Sequence, residues 1–288
     1  MVSVAFIGLG VMGYPMAGHL AAASHRVVVY NRTAARGAAW VAQHGGMSAP
    51  TPADAARGAD VVLTCVGNDA DLRAVTLGAD GALAAMHRGA LLIDHTTVSA
   101  TIARELAAAG AAKGVLVLDA PVSGGQAGAE NGALTVMCGG TAEAFAAAEP
   151  VLAAYAKRTG HMGPAGSGQL TKMVNQVAIA GILEGLAEAI NFALAAGLDA
   201  EAVVDVISGG AAQSWQMDNR ARTMATGQFD FGFAVDWMRK DLGLVLDEAR
   251  RLGISLPATA LVDQFYGDVQ AMGGQRQDTS SLIRRFRG

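Results

Sequence analysis

The sequence predicts an α/β fold, a doubly wound parallel sheet in its N-terminal half, followed by an all-α domain. Three observations predict it. Residues 8–13 form a G-x-G-x-x-G turn between an apolar run and a segment with helical spacing. Short apolar runs then alternate with helical segments up to about residue 163, the order expected of repeated βαβ units. From there to the C-terminus the spacing is helical almost throughout.

The first element is residues 4–7, Val-Ala-Phe-Ile, an unbroken apolar run suited to a strand buried on both faces. Gly8, Leu9, Gly10, Val11, Met12 and Gly13 break it, and residues 14–23 resume as a helix. Each glycine at such a strand-to-helix turn has a physical role: Gly8 for the tight turn, Gly10 for close backbone approach to a phosphate, Gly13 for packing helix on strand. Flanked in this way, the motif points to a Rossmann-type dinucleotide site, with the pyrophosphate resting on N–H groups at the helix N-terminus.

Residues 26–30 form a second buried strand that ends in Asn31, Arg32 and Thr33. A carboxylate would normally meet the ribose 2′-hydroxyl about 20 residues past the glycines, and none is present. Arginine with amide and hydroxyl donors suits a 2′-phosphate, so NADP is expected over NAD, with NAD possible. The competing reading is that Arg32 is solvated and that Asn31 or Thr33 caps the next helix.

Further strands are expected at 61–65, 90–94 and 115–120, with helices at 82–87 and 99–111 between them. Val66, just past the first of these strands, is counted among the cofactor contacts. Two more strands, 132–139 and 158–161, flank a helix at 142–156 and complete a dinucleotide-binding domain over 1–163. A Gly-Pro-Ala-Gly-Ser-Gly turn opens the second domain, 164–288. Its first helix, 169–196, is roughly 40 Å long at 1.5 Å per residue and stops at Gly197, a fitting C′ glycine. Gly181, Gly185, Ala189 and Ala193 recur every fourth residue, giving a small-residue face that another helix can approach closely. Helices at 200–207, 215–224, 235–252 and 257–272 follow, and then a basic tail, 284–287.

With 288 residues, 52% hydrophobic and 16% charged, the chain can bury a large core. A net charge of −4 and a pI near 5.8 leave no basic footprint for nucleic acid. Apolar stretches are broken by charge or glycine short of the roughly 20 residues that span a bilayer, and residue 4 enters a strand without a basic leader, so a cytoplasmic location is expected. Cys65 and Cys138 lie in apolar runs and read as small buried hydrophobes.

Lys172 is the candidate proton carrier, because partial burial beside Leu170 and Val174 would bring its amine toward the working pH. Asn175, three residues on, shares its face and can orient the same oxygen. Residues 119–125, Asp-Ala-Pro-Val-Ser-Gly-Gly, close a strand at its C-terminal end, where open α/β sheets bind ligands. Ser123, Gly124 and Gly125 offer a hydroxyl and unhindered N–H groups to a carboxylate, although a plain turn accounts for them equally well. Residues 94–99, Asp-His-Thr-Thr-Val-Ser, place Thr96 or Thr97 near the nicotinamide side, or cap a helix with Thr97 or Ser99. Trp215 and Phe233 are candidates for the substrate pocket wall, against a role as core aromatics. The histidines and cysteines have no metal-ligand spacing, and no metal is expected.

Taken together, FIGLGVMGYPMAGH, DHTTVS, DAPVSGG, GSGQLTKMVNQ and FGFAVDWMRKDLGL resemble the β-hydroxyacid dehydrogenase family, in order and over essentially the whole chain. The resemblance implies that Lys172 is the catalytic lysine, Asn175 its substrate-orienting partner, and Ser123, Gly124 and Gly125 the carboxylate loop. It matches Thr97 to a cofactor contact near the substrate and Lys240 to a lysine of the helical domain that closes over the cofactor. Ala100 stands where the family has proline, and Thr96 replaces the commoner serine. The implied partners are a small carboxylate substrate and further copies of the chain, as a homodimer or homotetramer. A non-catalytic dinucleotide sensor is disfavoured because it would need only the glycines. An imine reductase is disfavoured because such relatives commonly lack the lysine.

Overall fold

The apolar run that opens the sequence forms strand β1, Ser3–Ile7, in a computed structural model that describes residues 1–287. Its side chains alternate between two cores, Phe6 facing Leu63 and Ile93 on one side, Ala5 and Ile7 facing Val62 and Leu92 on the other, as the period of two requires. The sheet continues through β2 (Arg26–Tyr30), β3 (Met47–Ser48), β4 (Val61–Thr64), β5 (Leu91–Asp94) and β6 (Leu116–Asp119). These six lie parallel in the order β3-β2-β1-β4-β5-β6. Helices α1 (Gly13–Ala22), α2 (Ala34–His44), α3 (Pro52–Ala56), α4 (Asp69–Leu77), α5 (Ala82–Ala85) and α6 (Ala100–Lys113) connect them.

The sheet is not parallel to its edge. Pro121 interrupts the chain after β6, which resumes as β7 (Val122–Ser123) and α7 (Gly125–Glu130). Next, β8 (Leu134–Gly140) runs antiparallel to both β6 and β7. After α8 (Ala142–Leu152), β9 (Ala156–Gly163) pairs parallel to β8. The helix expected to reach residue 156 ends at Leu152, since residues 153–155 turn so that the Tyr155 side chain is fully buried.

The chain divides into two compact units, Met1–Lys172 and Met173–Gly288. Helix α9, Ser167–Ala195, starts in the first and runs through the second. The second unit adds α10 (Ala200–Ile207), α11 (Trp215–Thr226), α12 (Val235–Leu252) and α13 (Pro257–Ala271). Leu183, Ile190, Met224, Leu242 and Tyr266 form its core.

Two expectations are corrected. The basic tail is a 3₁₀ segment, Thr279–Phe286, in which Leu282 and Ile283 are fully buried. Its Arg285 lies 3.3 Å from Glu184 and stacks on the Phe265 ring. The sequence also holds a stretch of membrane-spanning length: α9 qualifies by length and hydropathy, yet Leu183, Ala187 and Ile190 pack it into a protein core. On the small-residue face Gly181, Gly185 and Ala189 are exposed together with Val174 and Phe192, whereas Ala193 is buried.

Candidate functional site

The turn after β1 is shaped by close backbone contact. The Gly8 N–H donates to the Tyr30 carbonyl at 2.8 Å, and at φ +99° Gly8 occupies a region that disfavours a side chain. A Cβ on Gly13 would be driven into the Gly8 carbonyl oxygen and would lie 2.9 Å from the Phe6 ring. Above Gly10, by contrast, a Cβ would find nothing within 4 Å. The Leu9 N–H donates to Asn31 Oδ1 at 3.0 Å, while among the described residues the N–H groups of Gly10, Val11 and Met12 meet no acceptor. Open space over donors at the start of α1 fits a pyrophosphate. A groove of about 580 Å³ extends from this point between Tyr14, Arg36 and Gln126.

At the end of β2, Asn31 is engaged in shaping that turn, since its Nδ2 also donates to the Thr33 carbonyl at 3.1 Å. Thr33 stands at the N-cap of α2, but its side chain makes no capping bond. Arg32 is 87% exposed and lies 3.4 Å from Asp71, an ion pair of a kind that adds little to stability. The Thr33 carbonyl accepts from the Arg36 N–H at 3.0 Å, but neither the Arg32 nor the Thr33 side chain caps the helix.

At the C-terminal ends of β4 and β5 a buried carboxyl organises two loops. Asp94 Oδ1 accepts from Thr64 Oγ1 at 2.7 Å and from the Thr96 N–H at 3.0 Å. Thr96 Oγ1 in turn accepts from the Val66 N–H at 3.1 Å. Burial raises the Asp94 carboxyl from 3.8 to about 7, against the lowering effect of these hydrogen bonds. A raised acid binds its proton more tightly when folded, so its stabilisation is complete below the unfolded value of 3.8 and is lost as pH rises toward 7. Asp94→Asn removes this titration. Its stability relative to the wild type should improve by about 2 to 3 kcal/mol between pH 5 and pH 8 in urea unfolding. Parallel pH profiles for the two proteins would refute the assignment. Ser99, not Thr97, caps α6 by accepting from the Ile102 N–H.

At the end of β6, the buried Asp119 receives the start of α9. Its Oδ1 accepts from the Gly166 N–H at 2.7 Å and its Oδ2 from the Gln169 N–H at 3.0 Å. Burial nevertheless pushes this carboxyl up, with the N–H groups acting against that rise. Gln169 is fully buried, donates from Nε2 to the Thr96 carbonyl at 2.8 Å and accepts at Oε1 from the Val98 N–H at 3.1 Å. Lys172, one turn further along α9, is 8% exposed and so is not a solvated surface lysine. Ser123 lies in β7, followed by Gly124 and Gly125 with φ of +129° and +59° where α7 begins.

In the second unit, Asn175 Nδ2 donates to Gln176 Oε1 at 2.8 Å, and Gln176 Nε2 donates to the buried Asp241 at 2.7 Å. Lys240 Nζ lies 3.0 Å from Asp241. Asn175 and Lys240 are thus linked through Gln176 and Asp241. Trp215 is 51% exposed under the Arg220 guanidinium, 5.0 Å from its ring centre, so it is not a core aromatic. Phe233 packs against the core, and its N–H donates to Asp278 Oδ2 at 2.9 Å.

Three buried groups escaped sequence reasoning: Asp94 and Asp119 as braces, and Gln169 as their link to α9. Polar residues inside apolar context, at strand ends and in the first turn of an otherwise apolar helix, were the available signal.

Comparison with known proteins covers both halves of this arrangement. Residues 3–163 match the family described as the NAD binding domain of 6-phosphogluconate dehydrogenase. Residues 166–286 match the one described as NAD-binding of NADP-dependent 3-hydroxyisobutyrate dehydrogenase. The chain is similar to an uncharacterized oxidoreductase of Shewanella frigidimarina, at 63% identity over 99% of this chain and 98% of the relative. It is 39% identical to the L-threonate dehydrogenase of Cupriavidus necator, over 99% of this chain and 96% of that one. The solved structure of Mycobacterium tuberculosis 3-hydroxyisobutyrate dehydrogenase with L-serine superposes with a TM-score of 0.90 at 34% identity, covering 100% of both chains. A glycine turn fit for a dinucleotide, a buried lysine on the long helix and likeness along the full length lead to one assignment: the chain belongs to the β-hydroxyacid dehydrogenase family, as an NAD(P)-binding oxidoreductase.

Proposed function

We propose that the protein is an NADP-preferring enzyme that interconverts a small 3-hydroxy or short ω-hydroxy acid and its semialdehyde. The observation that carries this reading is Lys172, buried on α9 one turn from Gln169, whose amide is bonded on either side of Thr97. Residues 1–163 serve the dinucleotide and 164–288 the substrate side. Bound at the glycine turn, a reduced nicotinamide supplies hydride to a carbonyl carbon. Lys172 then gives its proton to the carbonyl oxygen and recovers it in the reverse direction. Ser123, Gly124 and Gly125 bind the substrate carboxylate, Asn175 orients the reacting oxygen, and Trp215 and Phe233 wall the pocket. Val66, Thr97 and Lys240 contact the cofactor. The named relatives act on, or were solved with, small hydroxy acids, which supports the substrate class. We place the enzyme in the cytoplasm as a homodimer or homotetramer, with the exposed apolar face of α9 as a packing surface.

NADP preference is supported by the Arg32 and Thr33 side chains, neither of which caps α2, and by the NADP-dependent family matched over residues 166–286. A panel of semialdehydes and hydroxy acids assayed with both cofactors tests the whole reading. Within it, Arg32→Ala should weaken NADPH binding roughly ten- to a hundredfold, the loss of a charge-assisted hydrogen bond, and leave NADH nearly unchanged. Equal loss with both cofactors, or wild-type preference for NADH, would refute the 2′-phosphate contact.

A further inference from the structure

Between β5 and α6 the chain passes through His95, Thr96, Thr97 and Val98. The Thr96 carbonyl and the Val98 N–H both face the Gln169 amide, which donates to the carbonyl and accepts from the N–H. A neighbouring strand would make the same pair of bonds to residues flanking the one between them. Here one side chain takes the strand's place, on either side of Thr97. Gln169 is itself pinned through its N–H to Asp119, and Lys172 follows it by three residues on the same helix.

We propose that Gln169 is a positioning residue that fixes Thr97, and through it the nicotinamide end of the cofactor, in register with the Lys172 amine. This rests on the function proposed above, in which Thr97 contacts the cofactor and Lys172 moves the proton. The amide is chemically required. A carboxylate would present no donor to the Thr96 carbonyl, and a leucine would leave the Thr96 carbonyl and the Val98 N–H buried without partners. The charged or titratable groups on the segments it bonds are Asp119, which binds its N–H, Asp94, which binds Thr96, His95, which adjoins Thr96 and bonds the Ala120 carbonyl, and Lys172. Misplacement by an ångström costs rate while leaving binding nearly intact.

Two variants test the proposal on the full-length protein. Gln169→Leu should lower kcat roughly ten- to a hundredfold for glyoxylate or succinic semialdehyde, with NADPH affinity by fluorescence within about threefold of wild type. Gln169→Glu should be as impaired at pH 8.5 but regain most of its kcat toward pH 6, relative to wild type. A protonated carboxyl has both the donor and the acceptor that the two flanking groups need, and burial favours that form. Recovery within one sample also shows that the variant is folded. The proposal fails if both variants keep kcat within about threefold of wild type, if the deficit of Gln169→Glu is independent of pH, or if cofactor affinity falls as much as kcat. Lys172→Ala measured alongside separates the two ideas. Its inactivity with unimpaired Gln169 variants overturns only the positioning role, whereas its full activity overturns the functional reading and this inference with it.

Discussion

Gly13→Ala should lose both stability and cofactor, and Gly10→Ala should lose the cofactor alone. At Gly13 the new methyl group would enter the Gly8 carbonyl oxygen and crowd the Phe6 ring, so α1 must move off β1. Overpacking of this kind costs roughly 1 to 3 kcal/mol or more, enough to lower the melting temperature by several degrees in a protein of this size. The same displacement moves the N–H groups of Gly10, Val11 and Met12 relative to one another, and NADPH affinity should fall at least tenfold. At Gly10 a methyl group touches nothing in the protein. It stands in the open space over those donors, so its cost appears only when a phosphate arrives. Thermal unfolding with and without NADPH reads both effects: Gly10→Ala should melt as the wild type does without cofactor and gain much less from adding it. An equal gain in wild type and Gly10→Ala would mean that the pyrophosphate rests elsewhere.

What was legible in the sequence was what local chemistry dictates. Residues 4–13 declare a strand, a turn and a helix start, because apolar run and glycine spacing are properties of neighbours in the chain. The long run of α9 declares itself in the same way, through spacing and a stop at Gly197. Strand direction is different in kind. Leu134–Gly140 would present similar apolar side chains whether parallel or antiparallel, and only its pairing with β6 and β7 sets the sense. The segment Thr279–Phe286 read as a tail because its arginines stand out, yet Leu282 and Ile283 between them and the helix are core residues. In the candidate site the glycines, Arg32, Ser123 and Lys172 could be picked out by type and position. Asp94, Asp119 and Gln169 could not, because a brace is defined by what it bonds across the fold. Asp94 meets residues 30 positions back, Asp119 meets residues up to 50 positions on, and Gln169 reaches back 73.

Removing the amine of Lys172 should separate chemistry from binding. The glycine turn is shaped by the Gly8 N–H donating to the Tyr30 carbonyl and the Leu9 N–H donating to Asn31, and the start of α9 is held by the Gly166 and Gln169 N–H groups donating to Asp119. Lys172→Ala should therefore bind NADPH with near wild-type affinity by calorimetry. A general acid or base contributes roughly 10²- to 10⁴-fold in rate, so turnover of glyoxylate or succinic semialdehyde should fall by at least two orders of magnitude. Lys172→Arg keeps a positive charge at the same place and distinguishes proton transfer from electrostatic attraction. A guanidinium does not give up its proton near neutral pH, so this variant should recover little. Turnover within a few-fold of wild type in Lys172→Ala would show that the proton comes from another group or from water. Recovery in Lys172→Arg alone would show that the charge, rather than the transferable proton, is what the substrate oxygen needs from this position.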